Sequence, residues 1–213
     1  MPAASSPFPR TNPLHPYSYV PYRDTHPTCR RFDEQQPIER LQLIRWINVI
    51  RHTASGRNIQ PLKYIVITDP EQCHWLTGLM RWAAMLPDWE GPAKGERPTA
   101  YLIQLVDTHL APAARFDEGI QLEALGLLAT EAGYGMCIFS PHGRGDIARM
   151  YDLPQHLSIN AIVALGKPAE EPILEELRPG EEPRYWRDAE GRHHVPNRGL
   201  EELIIEPNKA SVF

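Results

Sequence analysis

The sequence predicts an α+β sandwich with a central sheet and a buried helical interface between two copies of the chain. Short β-branched strands alternate irregularly with helices. Two helical stretches, 37–52 and 117–132, are apolar around most of their circumference, so they need a partner to cover them. A length of 213 residues suits one domain with a substantial core.

The elements follow in order. Six of the 22 prolines fall in the first 21 residues, at Pro2, Pro7, Pro9, Pro13, Pro16 and Pro21. Residues 1–24 therefore form no helix and read as an arm, disordered or wrapped over a neighbouring subunit. Its aromatics Phe8, Tyr17, Tyr19 and Tyr22 suit it to pinning onto a surface, and residues 25–213 form the domain proper. From Pro37 to about His52, Ile38, Leu41, Ile44 and Ile47 recur at helical spacing. Leu43, Trp46, Val49 and Ile50 widen the stripe, and Pro37 suits the first helical position. Tyr64 to Thr68 reads as a buried strand.

Asp69, Pro70 and Gln72 begin the next helix with a cap, a first-turn proline and a capping-box glutamine. Thr99 to Val106 is a further strand. Ahead of it, Leu86 to Pro98 holds three prolines and Trp89, the composition of a lid or binding loop. Asp117 to Ala132 is the second apolar helix, stopped by Gly133, and its Ala124, Gly126, Ala129 and Ala132 permit close helix approach. Met136 to Phe139 and Ile159 to Leu165 are strands flanking a short helix from Asp146 to Tyr151. A charged tail leads through His193 to Arg198 into a helical segment around Leu200 to Ile204.

A formal charge of −5 gives no reason to expect nucleic acid. No apolar run approaches the roughly 20 residues that span a bilayer. Prolines interrupt the place where a signal peptide keeps its apolar core. Cys29, Cys73 and Cys137 show neither zinc spacing nor a disulfide framework. The expectation is a cytoplasmic protein.

Gly133-Tyr-Gly-Met-Cys137 lacks the third glycine of a dinucleotide fingerprint and follows a helix where the fingerprint follows a strand. Gly133 is better read as a helix stop, and Gly135 as a point of close backbone approach. Arg144-Gly-Asp146 matches an adhesion tripeptide by chance, Asp146 serving as a helix cap. His193 and His194 are adjacent, so in a strand they face opposite ways and do not share a metal ion; no metal site is expected. Glutamates from Glu170 to Glu176 read as a solvated face.

Two stretches carry more chemistry. Thr28, Arg30 and Arg31 place a hydroxyl and two guanidinium forks ahead of the first long helix, a set suited to phosphate. Read alone, they are better taken as a basic helix-flanking turn. Thr53 to Pro61 is a polar turn between helix and strand, whose Ser55, Asn58 and backbone N–H groups suit a flat heterocycle. Read alone, it is equally a loop with a cap at Gly56.

Their order along the chain resembles the nitroreductase family. The family's Arg-x-Ser-x-Arg-x-Phe is met by His26-Pro-Thr-Cys-Arg-Arg-Phe32, and its Pro-Ser-x-x-Asn-x-Gln-Pro by Ala54-Ser-Gly-Arg-Asn-Ile-Gln-Pro61. Its acidic-x-Gly helix start and Gly-x-Gly-x-Cys segment look like Asp117-Glu-Gly119 and Gly133 to Cys137. Ala164 to Glu170 resembles the strand and turn that follow, and Val195-Pro-Asn-Arg198 the basic C-terminal motif.

The resemblance implies a nitroreductase-like sandwich with a central mixed sheet flanked by helices, in an intertwined homodimer. It implies flavin mononucleotide (FMN) between the subunits. His26, Thr28, Arg30 and Arg198 would hold its phosphate and ribityl chain. Ser55, Gly56 and Asn58 would reach the ring from the other subunit, and Cys137, Ile138, Phe139 and Ser140 would line its face. Two positions depart from the pattern: His26 replaces an arginine and Asn197 a lysine, which implies looser FMN binding or a substitute cation at Arg23 or Arg31.

By the same resemblance, NADH or NADPH gives hydride to the flavin, which reduces a small-molecule electron acceptor, a nitroaromatic, a quinone or similar, by a ping-pong mechanism. No side chain is required as acid or base, and Cys137 reads as a buried structural thiol. The residues 82–97 and the arm would set specificity. The alternative is a flavin-binding or sensing protein without nicotinamide-dependent turnover. A dimeric interaction module without cofactor is a further one.

Overall fold

The computed structural model describes residues 28–140 and 142–205, so the Pro-rich arm and His26 lie outside the described residues. The elements run β1 (Phe32–Asp33), α1 (Arg40–Ile50), β2 (Leu62–Ile67), α2 (Pro70–Leu79), β3 (Ala100–Asp107) and α3 (Phe116–Glu131). They continue with β4 (Gly135–Phe139), α4 (Arg144–Met150), β5 (Leu157–Pro168), β6 (Ile173–Leu177), β7 (Trp186–Arg187), β8 (His193–Arg198) and α5 (Leu200–Leu203).

The apolar runs of β3 and β5 are buried on both faces and form the centre of a five-stranded sheet. One edge of β5 pairs with β3, which pairs in turn with β2; the other edge takes β4 and then β1. Every one of these pairings is antiparallel, which corrects the expected mixed sheet. β3 and β4 do run the same way, across α3, but β5 lies between them and takes both as antiparallel neighbours. The one parallel pair of the described residues is β6 with β8, in a separate three-stranded sheet completed by β7.

Strand alternation sends side chains to two cores. Tyr101, Ile103 and Leu105 of β3 face Cys73 and Leu76 of α2 and Ile147 of α4. Ala100 and Leu102 face Leu43, Trp46 and Ile50 of α1 and Leu122, Leu125 and Ala129 of α3. On β5 the register shifts opposite Gln104 and Leu105, leaving Asn160 as a bulge. That extra residue is why Ile159 and Ile162 point to the same core.

α1 begins at Arg40, so Pro37 lies before the helix and not at its first position. Ile38 N–H donates to Thr99 Oγ1 at 3.3 Å, holding the 37–39 segment extended against the start of β3. The helix is also less enclosed than its composition predicts. Leu43, Trp46 and Ile50 are buried, while Leu41, Ile44 and Val49 stand 52%, 45% and 53% exposed. α3 likewise leaves Phe116, Ile120 and Leu127 exposed.

Asp69 caps α2 as expected, accepting from Gln72 N–H at 2.9 Å. Asp146 does not cap α4, because left-handed Gly143 takes that place and Asp146 pairs with Arg149 one turn on. Gly133 ends α3 at φ +73. A Cβ on Gly135 would sit 2.7 Å from Cys29 Cβ, the close approach its sequence position suggests. No helix of the described residues is long and apolar enough to cross a membrane.

Candidate functional site

A cleft of ≈ 410 Å³ opens where the end of β4 meets the loop after α2, within the size range of small-molecule sites. Cys137, Ile138, Phe139 and Ser140 form one wall, with His142 beyond them. Met80, Arg81, Ala83 and Ala84 form another, and Arg30 and Tyr185 close the third. Five residues expected from the sequence, Arg30 and 137–140, thus share one cleft.

Each wall is fixed by packing. Alternation along β4 buries Cys137 and Phe139 and leaves Ile138 exposed. Trp82 anchors the loop: it is buried, its Nε1 donates to Thr77 O at 3.0 Å, and its ring meets Phe139 edge-on at 4.7 Å. A Cβ on Gly91 would lie 2.6 Å from Trp82 Cδ1, so only glycine lets the loop cross the indole. The stretch expected as a lid is therefore packed down at this point.

Arg30 projects from the segment before β1, where Cys29 N–H donates to Met136 O at 2.9 Å. Its guanidinium stacks on Tyr185 at 4.4 Å from the ring centroid and donates through Nη1 to His193 Nε2 at 3.1 Å. Donation to Nε2 places the imidazole proton on Nδ1, which has no partner among the described residues. Burial first, then the neighbouring Arg30 and Arg187 cations, push the His193 pKa down to about 4 against the opposing pull of Glu170. Among the described residues Arg30 has no carboxylate ion-pair partner.

Glu170 is the pin of this corner. It was expected on a solvated face, yet its side chain is only 5% exposed. The correction has a clear cause: it accepts from the Arg30 and Arg31 N–H groups at 2.7 and 3.2 Å and from Arg187 Nη2 at 2.6 Å. Arg187 in turn lies over the Trp89 ring at 5.1 Å. Tyr185 OH accepts from Met85 N–H at 3.2 Å, so the small β6–β8–β7 sheet closes over the loop after α2.

The other expected residues lie elsewhere. Thr28 is half-buried ahead of Cys29. Arg31, a candidate substitute cation, is ion-paired with Glu96. Arg198 ends β8, is exposed and pairs with Glu202 at 2.8 Å. Ser55, Gly56 and Asn58 form a turn on the α1–α3 side, away from the cleft within one chain. Arg57, Asn58 and Gln60 all have positive φ, a strained cluster of the kind that persists where surroundings hold it. The buried Asp117 of α3 holds it, accepting from Ser55 Oγ at 2.6 Å and Gly56 N–H at 2.9 Å. Gly56 is no cap of α1, which ends at Ile50.

Burial first raises the Cys137 thiol to about 12, with Arg30 pulling it down and Glu170 up, so it is no nucleophile at neutral pH. His194 faces away from His193, between Glu175 and Asp188 at 2.6 and 3.1 Å. Sequence reading missed Tyr185, Arg81 and His142. The signal for Tyr185 was present in the Tyr185-Trp-Arg187 run inside the charged tail.

Comparison with known proteins gives the relationship. Solved structures with the same fold include nitroreductase A from Vibrio parahaemolyticus, 21% identical over 76% of this chain and 74% of that one, TM-score 0.57. A nitroreductase-like protein from Streptococcus mutans is 15% identical over 70% of this chain and 87% of that one, TM-score 0.58. An iodotyrosine deiodinase bound to FMN and 3-iodo-L-tyrosine is 18% identical over 74% of this chain and 92% of that one, TM-score 0.57. Comparison with curated proteins finds no match. The nitroreductase family model matches residues 25–167, two thirds of the chain, and the chain belongs to the nitroreductase family.

Proposed function

We propose that the chain is an FMN-dependent oxidoreductase, a homodimer that takes hydride from NADH or NADPH and reduces an electron-poor acceptor such as a nitroaromatic or a quinone. The observation that supports it most is Arg30, a cation without a carboxylate partner among the described residues, in a cleft that also presents the apolar side chains of Met80, Ile138 and Phe139. A flat ring with an anionic tail fits that combination. Bound FMN would supply the two-electron chemistry.

The protein's part is binding and orientation. Arg30 and Thr28, with His26 and Arg198, would hold the phosphate and ribityl chain; Arg198 would exchange Glu202 for it. Cys137 to Ser140 would line the ring, and Phe139, Met80 and Tyr185 would keep water from it. Ser55, Gly56 and Asn58 would complete the site from the other subunit. The exposed apolar residues of α1 and α3 support that assembly, because large uncovered apolar surface marks an interface.

The test is a visible spectrum of the purified protein, then anaerobic addition of NADH or NADPH. Flavin bands that bleach support the oxidoreductase. Yellow protein that does not bleach supports the flavin-binding or sensing alternative. Protein that stays colourless after FMN is added removes the flavin reading. In the same assay Arg30→Ala should weaken FMN binding about tenfold or more, the loss of a charge-assisted hydrogen bond of about 1.5–3 kcal/mol. Unchanged affinity would remove the phosphate role.

A further inference from the structure

Beyond the last ladder pair of β3 and β5, Asp107 with Leu157, three side chains converge outside the cleft. Asp107, His109 and His156 each bring one ligand atom to within 4.8 Å of the other two. We propose that they form a binding site for a divalent first-row transition ion such as Zn²⁺. The proposal is independent of the flavin reading.

The scaffold is built from the backbone. Thr108 N–H and Oγ1 both donate to His156 O, at 2.8 and 2.9 Å, which ties the end of β3 to the segment before β5. Asp107 N–H donates to Pro61 O at 2.8 Å, and Asp107 Oδ1 accepts from His109 N–H at 3.1 Å. Leu110 N–H closes a turn on Asp107 O at 3.0 Å. The three ligands therefore have fixed starting points, and only their side chains need adjust.

The imidazoles lie face to face, centroids 4.2 Å apart and planes 6° from parallel. Ligand atoms around a tetrahedral ion stand about 3.3 Å apart, so binding requires one ring to turn out of the stack. His109 is exposed and has room to do so, while half-buried His156 and Asp107 stay in place. Two imidazole nitrogens and one carboxylate oxygen select Zn²⁺, Co²⁺, Ni²⁺ or Cu²⁺ over Mg²⁺ or Ca²⁺, which take oxygen ligands. Three protein ligands leave a fourth position open to solvent. Sequence reading missed the set because a strand end brings His156 to Asp107 and His109 across the sheet, with no local spacing to signal it.

The experiment uses tag-free, full-length, chelator-treated protein. Zn²⁺ is titrated by calorimetry, and Co²⁺ by its visible absorption. The expected result is saturable binding of one ion per chain, with Co²⁺ bands of imidazole–carboxylate coordination. His109→Ala with His156→Ala should lower affinity by more than about tenfold, since losing even a supporting partner costs a metal site that much. His74→Ala, an exposed histidine on α2, should leave it unchanged. Where the double variant fails to fold, His109→Gln alone tests the exposed ligand. Absence of binding by the parent protein, or undiminished binding in these ligand variants, overturns the site.

Discussion

His193 is 1% exposed, keeps one ring nitrogen on the Arg30 guanidinium and leaves the other unpartnered among the described residues. A second proton would have to enter at Nε2, against the Arg30 guanidinium, and would be a buried charge beside two arginines. Its folded pKa of about 4 lies below the roughly 6.5 of an unfolded chain. Between those values the unfolded chain binds more protons, so this residue's contribution is present above pH 6.5 and lost as pH falls toward 4. His194 acts oppositely. The hydrogen bonds that its N–H groups donate to Asp188 and Glu175 raise its pKa, so its contribution is present below its unfolded value and lost as pH rises through the folded one. Thermal melts should show the melting temperature falling between pH 6.5 and 4, and His193→Gln should flatten that fall. Equal slopes in parent and variant would refute the assignment. None of this was legible in the sequence beyond the opposite facing of the two histidines; their partners come from residues 30, 175 and 188 and depend on tertiary contact.

At the scale of elements, Asp117 joins the first turn of α3 to the strained turn after α1. Asp117→Ala would leave the Ser55 hydroxyl and Gly56 N–H without their acceptor. Urea unfolding should register a loss of about 2–3 kcal/mol, the scale of hydrogen bonds to a charged group. A change below about 0.5 kcal/mol would mean that water replaces the carboxylate, as at an ordinary surface position. The helices and the long strands were legible because their apolar periods span many residues. Their ends were less so: Pro37 read as a helix start, but Ile38 bonds to Thr99, which no local signal reveals. β6 was hidden among glutamates, where alternation runs through Ile173, Glu175 and Leu177 and the acidic composition masks it.

At the scale of the molecule, one chain separates the residues that the proposed site would unite. The cleft lies at the end of β4, while Ser55 to Asn58 sit by α3. Ile44→Glu, on the uncovered face of α1, is expected to weaken the proposed self-association at least about tenfold, since an unpaired charge would be buried in the assembled face. Sedimentation with parallel FMN titration checks it; a dimer of unchanged affinity would place the interface elsewhere. The motifs gave Arg30 and the β4 wall because those contacts are encoded by short segments. Tyr185 escaped because its place depends on the small sheet beyond residue 167, where the family match ends. Arg30 meets His193 across 163 residues of chain. A growing polypeptide therefore cannot complete this cleft until its C-terminal sheet has left the ribosome, and such distant pairing is intrinsically late in folding. Closure of the pocket therefore waits on the small sheet that carries His193.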